Sequence, residues 1–271
     1  MRRQEIWLET GQAARAAMLL GILFLVRPAL GQTPPQAGWS LSTQFGPGWT
    51  SNPNDLPGRQ KGDAYWAMQL GLGYRQPLWD GAALAGILGT GADWYARERD
   101  AGSNRLFGSL SFTQAWRGAT LSLGVTARTS MDQPLRAHDD ASQDVSLGLS
   151  RAITLAPDWT LIPSLGAARR FYQNGTKNDI RFRSGLVLAR KWNAWTWRLG
   201  GTASYLLEDN TPILPRIRDR SWSLFLSSTY EWEKDREIGL RLAYARTYSS
   251  YAPNRFRSIA LAPQVSATFR F

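Results

Sequence analysis

The sequence of 271 residues sets 32 Lys and Arg against 21 Asp and Glu, a formal net charge of +11, and holds 13 Trp, one His and no Cys. Lack of Cys excludes disulfides, thiolate nucleophiles and a lipid-modified cysteine; a single His nearly excludes His-rich zinc sites and ordinary triads. The negative mean hydropathy argues against a bundle of transmembrane helices, though not against a β-barrel, whose strands are half polar.

The chain opens on a basic stretch with Arg2, Arg3 and Arg15, followed by the apolar run Ala16–Val26 and the small residues Ala29 and Gly31. This is the pattern of a secretory signal peptide cleaved after Gly31. Eleven apolar residues are too few to span a bilayer core. The expected division is therefore a signal peptide over 1–31 and one domain over 32–271.

From there the chain alternates apolar and polar residues, the period of a strand with one apolar face. In "DAYWAMQLGLGYRQ", Trp66, Met68, Leu70, Leu72 and Tyr74 share one face. "RLFGSLSFTQAW" and "ATLSLGVTARTS" meet at Arg117-Gly118. "DIRFRSGLVLARKW" and "WTWRLGGTASYLL" meet at Asn193-Ala194, and "DRSWSLFLSSTYEW" and "EIGLRLAYARTYS" at Glu233–Arg236. The pattern predicts about twelve strands of 10–15 residues, starting near Trp39, Asp63, Ala82, Asn104, Ala119, Ser142, Trp159, Asp179, Trp195, Asp219, Glu237 and Arg257. Such strands exceed the usual five or six residues and match a tilted bilayer crossing.

The connections alternate between short turns and longer loops. Short ones are Pro77–Gly81, Arg117-Gly118, Ala156–Asp158, Asn193-Ala194 and Glu233–Arg236; longer ones lie near Trp49–Gly62, Arg97–Ser103, Met131–Ala141, Asn174–Asn178, Glu208–Arg218 and Ser249–Phe256. Trp39, Trp79, Trp116, Trp159, Trp192, Trp195 and Trp232 fall at the short-turn end. Trp49, Trp66, Trp94, Tyr205, Trp222 and Tyr248 lie towards the loop end. Two aromatic belts are what two membrane interfaces select. A β-propeller or a soluble sandwich competes less well, since blades need short strands and a sandwich core takes its aromatics mid-strand. Pro163 and Pro263 interrupt apolar faces, so a bulge or local water is expected at each.

The last strand, "VSATFRF", sets Val265, Phe269 and Phe271 on one parity. Signal peptide, amphipathic strands and this ending resemble the Gram-negative outer-membrane β-barrel class. The resemblance covers 32–271 as architecture and matches no specific family. It implies an all-β, transmembrane, antiparallel up-and-down barrel of about twelve strands, with short periplasmic turns and longer extracellular loops. It further implies outer-membrane lipid and lipopolysaccharide as surroundings, and Val265, Phe269 and Phe271 as an assembly signal for the barrel-assembly machinery. Twelve-stranded members include acidic-oligosaccharide and nucleoside channels, a phospholipase and a lipid A deacylase, and architecture does not choose among them.

With the apolar parity on lipid, the other parity lines the lumen. It is mostly Gly, Ala, Ser and Thr, which leaves room for a narrow pore, unless folded-in loops or long Arg side chains plug it. Arg75, Arg128, Arg170, Arg181, Arg183, Arg198 and Arg241 are the candidate anion contacts there, against only Asp93, Asp179 and Glu231. A basic lining favours anions, so small anionic solutes are the expected cargo. Those near the loops could instead pair with loop Asp residues or with lipopolysaccharide phosphates. The sole histidine, His138, sits beside Asp139 and Asp140 without a recognisable nucleophile motif, and no enzymatic activity is expected. No cofactor, metal or nucleic acid is expected. An export or envelope-interaction barrel and a lipid hydrolase are the alternative readings.

Overall fold

A computed structural model describes residues 37–53, 62–131, 138–173, 178–209 and 216–271. The expected signal peptide, and parts of the loops Trp49–Gly62, Met131–Ala141, Asn174–Asn178 and Glu208–Arg218, lie outside the described residues. The strands are β1 (Gly38–Thr50), β2 (Asp63–Trp79), β3 (Ala82–Tyr95), β4 (Ser103–Trp116), β5 (Ala119–Met131), β6 (His138–Arg151), β7 (Ile153–Ala156), β8 (Trp159–Tyr172), β9 (Asp179–Trp192), β10 (Trp195–Glu208), β11 (Arg218–Glu233), β12 (Arg236–Ser249) and β13 (Phe256–Arg270). Each pairs antiparallel with its neighbours in sequence, except that β6 and β7 both pair with β8 and not with each other, and β1 pairs with β13. Since β6 and β7 run on as one wall strand, the result is a closed twelve-strand up-and-down barrel.

Two-residue turns make the hairpins at one end. Arg117 (φ 49°) and Gly118 (φ 77°) both take positive φ, the type I′ geometry whose twist matches the flanking strands. Gly81, Asn193 and Asp235 supply a positive φ at three other turns, and Gly, Asn and Asp tolerate that region best.

The distribution of apolar side chains is inverted relative to a water-soluble fold. Leu88, Leu165 and Leu199 are 69%, 62% and 57% exposed on the outer face. The inward Thr160, Ser223 and Thr229 are buried, and no large side chain is fully buried among the described residues. An apolar surface this continuous is unstable in water and matched to hydrocarbon. Trp39, Trp79, Trp116, Trp192, Trp195 and Trp232 are exposed at the short-turn end. Trp159, at the same end, is half-covered, with the Arg190 guanidinium 5.3 Å from its ring centroid. Trp49, Trp66, Trp94 and Tyr248 are exposed towards the loops.

The two prolines interrupt the ladder without shifting register, so the expected bulges are absent. Ser150 pairs Ser164 and Ile153 pairs Leu161 in one continuous register, and only the stretch facing Pro163 is left unpaired, because an imide nitrogen donates nothing. Along the β1–β13 seam, pairing stops after Phe45–Val265 and resumes at Trp49–Leu261. That register sets Pro47 opposite Pro263, so two donors are missing at one place. Beside the gap, Gln44 Nε2 donates to Gln264 Oε1 at 2.9 Å, a side-chain bridge across the seam. Gly46 is needed there: a Cβ would lie 2.1 Å from the Pro263 carbonyl oxygen.

Two predictions follow from this wall. Leu88→Arg, mid-strand on the outer face, should cost about 2–4 kcal/mol of barrel stability in lipid vesicles, measured by denaturant unfolding, whereas Asp80→Arg at a turn should cost almost nothing. Gly46→Ala should make the folded band in unboiled gel samples convert to the unfolded band at a clearly lower temperature. Retention of the wild-type conversion temperature would show that the seam is not held in this close approach.

Candidate functional site

Alternation turns every second residue inward, and the register stacks these residues into rows that run around the wall. Nearest the loops is an ionic row. Asp144 on β6 pairs in register with Arg170 on β8, and Arg170 with Asp179 on β9. Arg170 donates from Nε and Nη2 to the two Asp144 oxygens at 2.6 and 2.9 Å, the bidentate fork of guanidinium on carboxylate. Arg128 also donates to Asp144. Arg170 Nη1 donates to the Tyr172 hydroxyl at 3.3 Å, and Arg181 Nη2 lies 3.6 Å from Asp179. On the neighbouring strands β4 and β3, Arg105 and Asp93 form a further pair at 2.9 Å.

Two rows nearer the turns, Gly166, Arg183, Ser204, Ser221 and Thr247 are successive register partners. Arg183 is flanked there by small residues. Two rows on lies an apolar band. Ile162 faces Val187, Val187 faces Gly200, Gly200 faces Phe225 and Phe225 faces Ala243. Ile162, Val187 and Phe225 are buried against one another with Ala243 beside them. Gly200 permits this packing, since a Cβ would sit 2.6 Å from the Phe225 ring.

The next row carries Ala189, Arg198, Ser227 and Arg241 on β9 to β12. Arg241 lays its guanidinium 4.1 Å from the Phe225 ring centroid, a cation–π contact. The buried Arg198 Nε has no hydrogen-bond partner.

The candidate cations therefore divide into two groups. Arg128, Arg170 and Arg181 are engaged by Asp144 and Asp179. Arg183, Arg198 and Arg241 have no ion pair among the described residues. Arg75 stands apart: it is exposed on β2, opposite Gly38 and Ala85 near the turn end. Val265, Phe269 and Phe271 are exposed on the outer parity, and Phe271 exchanges backbone hydrogen bonds with Trp39 at the seam. Just past the end of β10, Asp209 accepts hydrogen bonds from the Arg169 guanidinium of β8, which holds its carboxyl below the ordinary range. That stabilisation is present above the ordinary carboxylate range and is lost as pH falls through the depressed value, and exposure keeps it small.

Sequence reasoning missed Asp144, which was not among its inward acids, and the inward Ile162, Val187 and Phe225. Each apolar one lies between residues that hide its parity: "LIP", "LVL" and "LFL" read as continuous apolar runs. A three-residue apolar run inside an alternating strand was the available signal.

No protein-family model matches the sequence, and no curated protein matches it. Among solved structures, the chain is similar to an outer-membrane channel from Pseudomonas putida F1, with a TM-score of 0.58 and 12% identity over 90% of this chain and 100% of that one. It is also similar to LpxR from Salmonella typhimurium, with a TM-score of 0.51 and 10% identity over 85% of this chain and 100% of that one. The fold is that of the Gram-negative outer-membrane β-barrels. The likeness to LpxR, an enzymatic outer-membrane barrel, overturns the expectation of no enzymatic activity: this architecture also carries catalysis, which depends on local side chains and not on the wall.

Asp144 supplies the test of the ionic row. Asp144→Asn leaves two inward guanidiniums without their carboxylate and should cost about 3–5 kcal/mol. Asp158→Asn, which removes the partner of the exposed Arg190, should cost under about 1 kcal/mol. Denaturant unfolding of both variants checks the difference.

Proposed function

We propose that the barrel is an outer-membrane channel for the passive diffusion of small solutes, with a preference for anions. The observation that carries this reading is the set of inward arginines without carboxylate partners, Arg183, Arg198 and Arg241, spread over two levels of the lumen. Held between low-dielectric walls, fixed cations lower the barrier for anions and raise it for cations. The inward Ser, Thr, Gly and Ala around them offer hydroxyls and space.

The ionic row at the loop end has a different role in this reading. Its charges largely neutralise one another, so it shapes the mouth and does not select. Val265, Phe269 and Phe271 serve as the strand signal read by the barrel-assembly machinery, a role supported by their outward parity on the strand that closes the ring. Lipopolysaccharide surrounds the loop-end rim.

The test is electrical. The refolded barrel in a planar bilayer under a KCl gradient should show steady single-channel conductance with a reversal potential on the chloride side. Arg183→Ala and Arg241→Ala should each move that potential towards the cation side, and Arg170→Ala should move it less. A correctly folded barrel without conductance would overturn the reading in favour of a plugged barrel.

A further inference from the structure

A groove of about 970 Å³ crosses β5 to β11 on the lipid-facing side of the wall. Its central line is one row of register partners: Trp222, Ala203, Ser184, Leu165, Leu149 and Leu121. Ala203 and Ser184 are small and exposed. The larger Trp222, Phe182 and Leu165 stand around them, so the row is a trough open to hydrocarbon. We infer that this groove seats an acyl chain of a phosphorylated membrane lipid, with the phosphate held by Arg220 and Arg246. The site is on the outside of the barrel and does not depend on whether the lumen conducts.

The direction of the groove fits a lipid chain. A row lies across the strands, and barrel strands are tilted, so the row descends through the membrane. Trp222 lies near the loop end of β11, whereas Leu121 lies near the turn end of β5. The five steps between those strands make about 24 Å. At a tilt of about 40° that line descends about 15 Å, half the thickness of a bilayer's hydrocarbon.

The loop end of the groove is basic. Arg220 lines it, Arg246 is the register partner of Trp222 on β12, and both are exposed. The Arg246 guanidinium lies 4.5 Å from the Tyr248 ring centroid. Tyr248 is the register partner of Arg220, so the two guanidiniums reach one level. Neither has an ion pair among the described residues. Arg218 and Arg257 share the outward parity beside them. Asp209, the outward acid on this part of the rim among the described residues, is held by Arg169, and Asp179 and Asp219 share the inward parity. A phosphate accepts the forked donors of two guanidiniums. The same excess of like charge disfavours a second copy of this chain laid face to face on the groove.

Native mass spectrometry of the folded barrel released from detergent counts the lipid that stays bound. Dimyristoyl phosphatidic acid should bind at least about tenfold more tightly than dimyristoylglycerol, which has the same chains and no phosphate. Arg220→Gln together with Arg246→Gln should remove that preference. Arg190→Gln, at an exposed outward arginine near the turns, should keep it. Ala203→Phe fills the trough from the lipid side, where no packed core opposes it, and should weaken both lipids. Inorganic phosphate should not displace the phosphatidic acid. Equal binding of the two lipids, or a preference that survives the double arginine variant, would overturn the inference. So would displacement by inorganic phosphate, which would leave a headgroup site without a groove. A dimer that Ala203→Phe dissolves would overturn it too, giving the groove to a second copy of the chain.

Discussion

Hydrocarbon offers no hydrogen bonds, so each backbone N–H and C=O that crosses a bilayer must find its partner in the protein. The rest of this structure depends on that constraint. An open sheet of amphipathic strands would expose two unpaired edges to lipid. Pairing β1 with β13 removes both, and only then can the apolar face turn outward without cost. The seam is also where the wall is least complete, with Pro47 opposite Pro263 and three register positions without pairing. The Gln44–Gln264 bridge and the close approach at Gly46 hold the seam together there.

Closure gives the inner face its character. Once the outside is reserved for Leu, Val, Ile and aromatic residues, the inside takes everything polar, and charges in a confined lumen must be paired or put to use. The inner wall does both at different heights. Asp144 and Asp179 gather Arg128, Arg170 and Arg181 into a network at the loop end. Deeper in, Arg183, Arg198 and Arg241 have no ion pair among the described residues. Between Arg183 and the row of Arg198 and Arg241, Phe225, Val187 and Ile162 form an apolar band that gives Arg241 a surface to lie on.

Much of the wall was legible because β-alternation is local. The strand starts expected at Asp63, Ala82, Ala119, Trp159, Asp179 and Trp195 coincide with those observed, and breakers such as Arg117-Gly118 mark the turns. β6 begins at His138 and not near Ser142, because the polar run His138, Asp139 and Asp140 reads as loop although it continues the ladder with β5. Ladder defects were located at the right prolines and misjudged in kind. Whether a lost donor becomes a bulge or a gap is decided by the partner strand, which a single strand's sequence does not contain. The rows were illegible for the same reason: that Arg198, Ser227 and Arg241 share one level is a statement about register between strands.

The most direct measurement of the central claim, a closed barrel with lipid outside and water within, uses the absence of cysteine. Single cysteines placed in turn along Ile238–Tyr244 of β12 can carry a nitroxide without a background thiol. In lipid vesicles, collision rates with oxygen and with a water-soluble nickel chelate report hydrocarbon and water respectively. The account predicts a strict two-residue alternation, with oxygen favoured at 238, 240, 242 and 244 and the nickel chelate at 239, 241 and 243. Oxygen and nickel accessibilities that rise and fall together along the strand would contradict it.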